Sequence, residues 1–295
     1  MPAITTKFTD DDKLDLDLFN KNINAQLDAG VSAIVLGGSL GEASTLTNDE
    51  KNILTKNTIQ LTNGKIPVVV NIAEQSTKEA VNSAISAEEN GASGLMVLPP
   101  MRYKSCDVET VTYFKEIAKN TSLPIMIYNN PVDYKIEVTL DMFDQLIQFE
   151  NIQAVKESTR DVTNVTRMKN RFGDRLKIMT GVDTVALESL IMGAVGWVAG
   201  LVCAFPNETV AIYKLQKNGK IDDAISIYRW FLPLLELDIN SKLVQNIKLA
   251  ETYTGLGSEN VRAPRLPLSG DERKSVIAII ENALESRPDL SKYNY

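Results

Sequence analysis

The sequence predicts an α/β fold, a (β/α)8 TIM barrel followed by a C-terminal three-helix extension. Three observations predict it. Eight short apolar runs recur roughly 20 to 35 residues apart, the rhythm of repeated strand–helix units. Amphipathic stretches carrying helix start and stop signals separate them. A doubly wound open sheet, the rival arrangement, usually carries a glycine-rich phosphate loop after its first strand, and none follows the run at 3–7.

The candidate strands lie at 3–7, 33–36, 67–71, 94–98, 124–128, 152–156, 176–180 and 195–199. Between them, Thr47-Asn48-Asp49-Glu50 and Ser76-Thr77-Lys78-Glu79 each fit a capping box, in which hydroxyl and carboxylate satisfy the first orphan N–H groups of a helix. Gly64, Gly91 and Gly219 stand where helices should stop. Asn207 is expected to cap a helix running to about Lys217, with Val210 and Leu215 on its buried stripe. From Ile221 onward only helical patterns remain, at 222–237, 240–253 and 271–285, with Pro264 and Pro267 separating the last two. The barrel is therefore assigned to 1–220 and the helical extension to 221–295.

Composition bounds the function. The chain has 295 residues, 44% of them hydrophobic, enough for one large core. A net charge of −7 argues against nucleic acid as a partner, since such proteins usually show a basic face. No apolar run approaches the ~20 residues that cross a bilayer, and the N-terminal residues lack a signal-peptide pattern. Two well-separated cysteines, Cys106 and Cys203, suggest free thiols, and the expected location is the cytoplasm. Histidine is absent, which removes Ser-His-Asp and Cys-His catalysis and every histidine-containing zinc site. With two cysteines far apart a cysteine-rich metal site is excluded as well, and acid–base chemistry falls to tyrosine, lysine or a carboxylate.

Against that background Lys156 stands out. Ile152-Gln153-Ala154-Val155-Lys156 reads as a buried parallel strand ending in a lysine, a residue rarely buried unless paired. It either pairs with a rim carboxylate or serves as a Schiff-base amine, whose pKa desolvation lowers. A barrel gathers its active site at the carboxyl ends of its strands. Three further segments fall there: Gly37-Gly38-Ser39-Leu40-Gly41-Glu42, Tyr128-Asn129-Asn130-Pro131 and Thr180-Gly181-Val182-Asp183. Taken singly, the glycine turn reads as a tight loop, Tyr128 as an interior aromatic and Gly181 as a turn residue. Together, at one end of successive strands, they read as a site.

These segments carry a resemblance. Gly38-Ser39-Leu40-Gly41-Glu42, Tyr128-Asn129-Asn130-Pro131 and Val155-Lys156-Glu157-Ser158 resemble the motifs of the dihydrodipicolinate synthase / N-acetylneuraminate lyase family of class I aldolases, and Thr180-Gly181-Val182-Asp183 continues the pattern over essentially the whole chain. The resemblance implies that Lys156 condenses with a 2-oxo acid or a cyclic imine acid and that Tyr128 shuttles protons. It implies that Ser39 and the N–H groups of Ser39 and Leu40 hold the substrate carboxylate, and that Gly181 and Val198 line the pocket floor. It further implies no metal and no organic cofactor, because the iminium is its own electron sink, and a homotetramer built as a dimer of dimers.

The pattern is not followed everywhere. The synthase branch carries a second threonine where this chain has Leu40, and an arginine that grips a second carboxylate where this chain has Asp133. A carboxylate there repels another carboxylate, unless Asp133 simply caps a turn. Arg102, next to Tyr103, falls near where synthases place an aromatic relay residue, and faces either the substrate or a neighbouring subunit. The segments 128–131 and 196–206 are most similar to 1-pyrroline-4-hydroxy-2-carboxylate deaminases, which release ammonia and 2,5-dioxopentanoate during hydroxyproline degradation. The alternatives are a 2-keto-3-deoxy sugar acid aldolase or dehydratase, a synthase-like pyruvate aldolase, and a non-enzymatic barrel that kept the lysine.

Overall fold

A computed structural model describes residues 1–100 and 103–295. Strands and helices alternate: α1 (Leu16–Ala29), β1 (Ile34–Leu36), α2 (Asn48–Thr62), β2 (Val68–Ile72), α3 (Thr77–Glu89), β3 (Gly94–Val97), α4 (Asp107–Lys119) and β4 (Ile125–Asn129). Two short helices follow, α5 (Pro131–Tyr134) and α6 (Leu140–Leu146). Then come β5 (Ile152–Glu157), α7 (Val162–Phe172), β6 (Lys177–Thr180), α8 (Ala186–Ile191), β7 (Gly196–Trp197) and α9 (Pro206–Lys217). Three helices end the chain: α10 (Ile221–Leu235), α11 (Leu243–Tyr253) and α12 (Gly270–Glu285). No helix among the described residues is long and apolar enough to cross a membrane.

The seven strands form one parallel sheet in sequence order, each paired with the next. The sheet curls until its edges meet across the N-terminal segment. The Ala3 N–H donates to the Ala199 carbonyl at 2.9 Å beside β7, and the Ile4 N–H to the Val35 carbonyl at 3.0 Å on β1. The strand expected at 3–7 is thus reduced to two isolated bridges, Pro2 with Ala199 and Ala3 with Val35. Beyond Ile4 the chain leaves the ladder, because its polar groups have buried partners elsewhere. The Thr5 hydroxyl donates to Glu251 on α11 at 2.6 Å, the Thr6 hydroxyl to the Gly41 carbonyl at 2.7 Å, and the Lys7 amine to Glu251 at 2.8 Å.

Strand alternation sorts the side chains into two layers. Ile125, Ile127, Ile152 and Val155 point outward to pack under the helices. Val35, Val69, Met96, Met126, Tyr128 and Val198 point inward and fill the barrel. Lys156 is two residues beyond the inward-facing Ala154, so the same alternation turns it into the barrel.

Helix termini follow the sequence signals with two corrections. The box at α2 is complete: the Glu50 N–H donates to the Thr47 hydroxyl at 3.2 Å and the Thr47 N–H to the Glu50 carboxylate at 2.9 Å. At α3 only half of it forms, with Ser76 accepting from the Glu79 N–H. Asn207 does not cap α9. Pro206 takes the first helical position, where its fixed φ suits the helix and its missing N–H costs nothing, and Phe205 stands at the cap. Cys106 and Cys203 are free thiols.

Candidate active site

At the carboxyl ends of the strands the barrel opens into a cavity of about 1000 Å³. Register sets its centre: β4 and β5 pair so that Tyr128 lies beside Lys156. The Lys156 Nζ sits 4.0 Å from the centroid of the Tyr128 ring, and the residue is only 7% exposed. Among the described residues Lys156 makes neither an ion pair nor a hydrogen bond, so the rim-carboxylate pairing is not what holds it. Burial pushes its pKa below that of an ordinary lysine. Gly181, at the end of β6, makes room for this side chain: a Cβ there would stand 2.6 Å from both Cγ and Cε of Lys156.

Tyr128 lies within a short polar chain. Its hydroxyl accepts from the Asn130 Nδ2 at 3.2 Å, and burial pushes its pKa up to about 12. The Tyr134 ring meets it edge-on at 5.6 Å between centroids, and the Tyr134 hydroxyl is hydrogen-bonded to the Ser39 Oγ. Burial raises the Tyr134 pKa as well. Two phenols thus stand ring to ring in the cavity wall, the Tyr128 hydroxyl bonded to Asn130 and the Tyr134 hydroxyl to Ser39.

The turn after β1 supplies the opposite wall. Ser39 and Leu40 both line the cavity, and among the described residues neither N–H has a protein acceptor. The turn is tight: a Cβ on Gly41 would stand 2.9 Å from the Ile4 carbonyl oxygen. Glu42, buried and in the left-handed region at φ 55°, anchors it. Its carboxylate accepts from the Lys248 Nζ at 2.5 Å and from the Arg262 N–H at 3.0 Å.

Lys156, Tyr128, Ser39, Leu40, Gly181, Val198 and Asp133 therefore all line one cavity. Arg102 lies outside the described residues. Asp133 does not cap α5; Asn130 does, accepting from the Asp133 N–H at 3.2 Å while its Nδ2 donates to the Asp133 carboxylate at 2.7 Å. Across the rim, the Arg160 Nη2 stands 3.9 Å from Asp133, so the acidic residue there has a positive neighbour.

Five contributors escaped the sequence reading. Tyr134 follows the Tyr-Asn-Asn-Pro segment by three positions and could have been flagged as a second phenol on the same loop. Arg160 could have been read from the polar run after Lys156. Asn71 at the end of β2 and Ser158 after β5 each present a buried oxygen without a protein partner among the described residues. Asp238 comes from beyond α10, and nothing local in the sequence links it to the barrel mouth. Among the described residues no set of three histidine, cysteine or carboxylate groups converges as a metal site.

The chain is similar to known proteins along nearly its whole length. The sequence profile of the dihydrodipicolinate synthetase family matches residues 1–283. A 4-hydroxy-tetrahydrodipicolinate synthase of Exiguobacterium sibiricum is 31% identical over 266 residues, spanning 90% of each chain. One of Halalkalibacterium halodurans is 27% identical over 274 residues, spanning 93% of each. The solved 4-hydroxy-tetrahydrodipicolinate synthase of Methylacidiphilum fumariolicum SolV superimposes with a TM-score of 0.92 at 26% identity, covering 99% of this chain and 96% of that one.

Proposed function

The chain belongs to the dihydrodipicolinate synthetase family, and from that premise we propose a class I lyase of the aldolase type that binds a 2-oxo acid as an iminium on Lys156. The observation that carries this reading is a buried, unpaired lysine 4.0 Å from a tyrosine ring in a cavity open to solvent. A lowered pKa leaves more of the amine free to attack the substrate carbonyl. The carboxylate of the substrate takes the Ser39 hydroxyl and the free N–H groups of Ser39 and Leu40. Tyr128, backed by Tyr134 and Ser39, carries the protons that carbinolamine formation and dehydration require. The iminium then acidifies C3 and makes it a nucleophile.

The test is borohydride trapping with pyruvate, read by protein mass. Wild-type protein gains one reduced pyruvate and Lys156→Ala gains none. An adduct on the alanine variant would place the Schiff base elsewhere.

The names of the relatives favour a pyruvate aldolase of the synthase type. Arg160 gives that reading a positive group at the rim in place of the arginine missing at 133. A second reading, deamination of 1-pyrroline-4-hydroxy-2-carboxylate to 2,5-dioxopentanoate, is favoured by Asp133, which suits a substrate with a single carboxylate. Coupling product formation to a 2-oxoglutarate semialdehyde dehydrogenase and reading NADPH separates the two. The division into a barrel at 1–220 and a three-helix extension at 221–295 belongs to the same proposal, supported by the packing of α10 on α9. So does a homotetramer, supported by the exposed apolar side chains of Tyr103 and Val108.

A further inference from the structure

The helical segment that follows the barrel returns one carboxylate to the site. After α10 the chain tightens into a 3-10 turn at Glu236–Ile239, packed against the 3-10 turn Asp183–Val185 that follows β6. Leu237 is buried beneath it, and Asp238 enters the wall of the cavity that holds Lys156. Gly200 makes the space: a Cβ there would stand 3.0 Å from the Asp238 Cγ and 3.2 Å from the Ile247 Cδ1. The φ of Gly200 is −97°, which any residue adopts, so what glycine supplies here is room.

The three acids near Lys156 are not alike. Asp183 accepts from the Trp197 indole and from the N–H groups of Gly200 and Leu201 at 2.8 to 3.2 Å, and is a structural clamp. Asp133 is bonded to Asn130 and faces Arg160. Asp238 has neither a hydrogen bond nor an ion pair among the described residues. The charged groups around it are Lys156, Asp183, Asp133 and Arg160. Burial, with two like charges beside it, raises its pKa well above the ordinary carboxylate range. Among the described residues this carboxyl in the cavity wall is bound to no protein group, so its hydrogen-bonding capacity faces whatever occupies the cavity.

We propose that Asp238 is the proton donor to a hydroxyl on C4 of the substrate, so that the site accepts a 4-hydroxylated 2-oxo acid, or its cyclic imine, and eliminates that hydroxyl as water. The proposal rests on the Schiff-base reading of Lys156 and deepens it. With C2 held as the iminium, the C3 proton leaves to the Tyr128 relay and an enamine forms. The nitrogen lone pair then restores the C=N bond, and the C2–C3 π pair becomes a C3–C4 double bond. The C4–O bond breaks with its pair on oxygen, and the Asp238 proton goes to that oxygen. Water leaves, Asp238 remains as a carboxylate and regains its proton from solvent, and no atom is oxidised or reduced. An ionised Asp238 would instead take the C4 hydroxyl proton and favour cleavage of C3–C4, so the protonated form is what selects elimination.

The experiment uses 4-hydroxy-2-oxopentanoate as the probe, quenched with borohydride and read by protein mass. Wild-type protein carries two adducts, the intact hydroxy acid and one lighter by a molecule of water. In Asp238→Asn, which keeps size and polarity but cannot donate the proton, the ratio of dehydrated to intact adduct falls about 100-fold, the usual scale of a general acid. Asp238→Leu behaves alike. A general loss of reactivity leaves that ratio unchanged, so a merely structural role does not imitate the result. An unchanged ratio in Asp238→Asn, or a wild-type protein carrying only the intact or the pyruvate adduct, overturns the proposal alone. Failure of wild-type protein to trap pyruvate overturns the Schiff-base reading and takes this proposal with it.

Discussion

Lys156 and Gly181 show how one position depends on the emptiness of another. The lysine lies against a position without a side chain: a methyl at 181 would overlap Cγ and Cε of the lysine at 2.6 Å and come closer still to the Ser158 hydroxyl. Gly181→Ala must therefore displace the amine, since backbone hydrogen bonds hold the loop on both sides. The Gly181 N–H donates to the Glu157 carbonyl at 2.9 Å, and the Val198 N–H to the Thr180 carbonyl at 2.9 Å. The variant is expected to stay folded, at a cost of about 1–3 kcal/mol for overpacking. Its pyruvate-trapping rate should fall at least about tenfold through misplacement of the nucleophile. Trapping at the wild-type rate would mean that the lysine has another route to the cavity.

At the scale of elements, α2 is the helix whose start the sequence states most completely. Thr47 and Glu50 bond reciprocally, and Glu50 also accepts from Arg262 at 2.8 and 2.9 Å, joining this helix start to the segment before α12. Hydrogen bonds from Arg262 and Thr47 hold the Glu50 carboxyl below its ordinary pKa. Thr47→Ala is expected to cost about 1 kcal/mol in denaturant unfolding, with Thr47→Gly costing only a few tenths. Equal losses for the two variants would show that the hydroxyl acts through something other than the cap. The strands were legible for a similar reason: seven of the eight apolar runs are strands to within two residues at each end. The exception, 3–7, holds three polar residues in succession. Its bonds go to Gly41 and Glu251, far away in the chain, and no local pattern announces such partners.

Across the whole molecule, two buried ion pairs tie the barrel mouth to α11. Lys7 meets Glu251 at 2.8 Å and Lys248 meets Glu42 at 2.5 Å, all four side chains without solvent exposure. The second pair anchors the Ser39–Leu40 turn, so a helix formed late in the chain holds an element formed early. Glu42→Ala leaves the Lys248 ammonium buried without its partner and is expected to cost about 3–5 kcal/mol. Replacing both residues, Glu42→Ala with Lys248→Met, should recover much of that loss, because no charge is then stranded. Denaturant midpoints decide it: a single variant within about 1 kcal/mol of wild type would show that water reaches the site and solvates the lysine.

What the sequence determined by itself is what short range controls. Alternation along 152–157 turns Lys156 to the barrel interior, strand ends place Tyr128 and the Gly38–Glu42 turn at the same mouth, and the absence of histidine limits the chemistry to amine, phenol and carboxylate. The tertiary structure alone decided the company these groups keep. Arg160 was assigned to Asp133 by the packing of two loops, Tyr134 to Ser39 by the turn of α5, and Asp238 to the cavity by the docking of α10 and the turn after it. The physical reason is that strand and helix periodicity act over a few residues. The burial that changes a pKa or leaves a carboxyl without a partner depends on residues that only the closed barrel brings together.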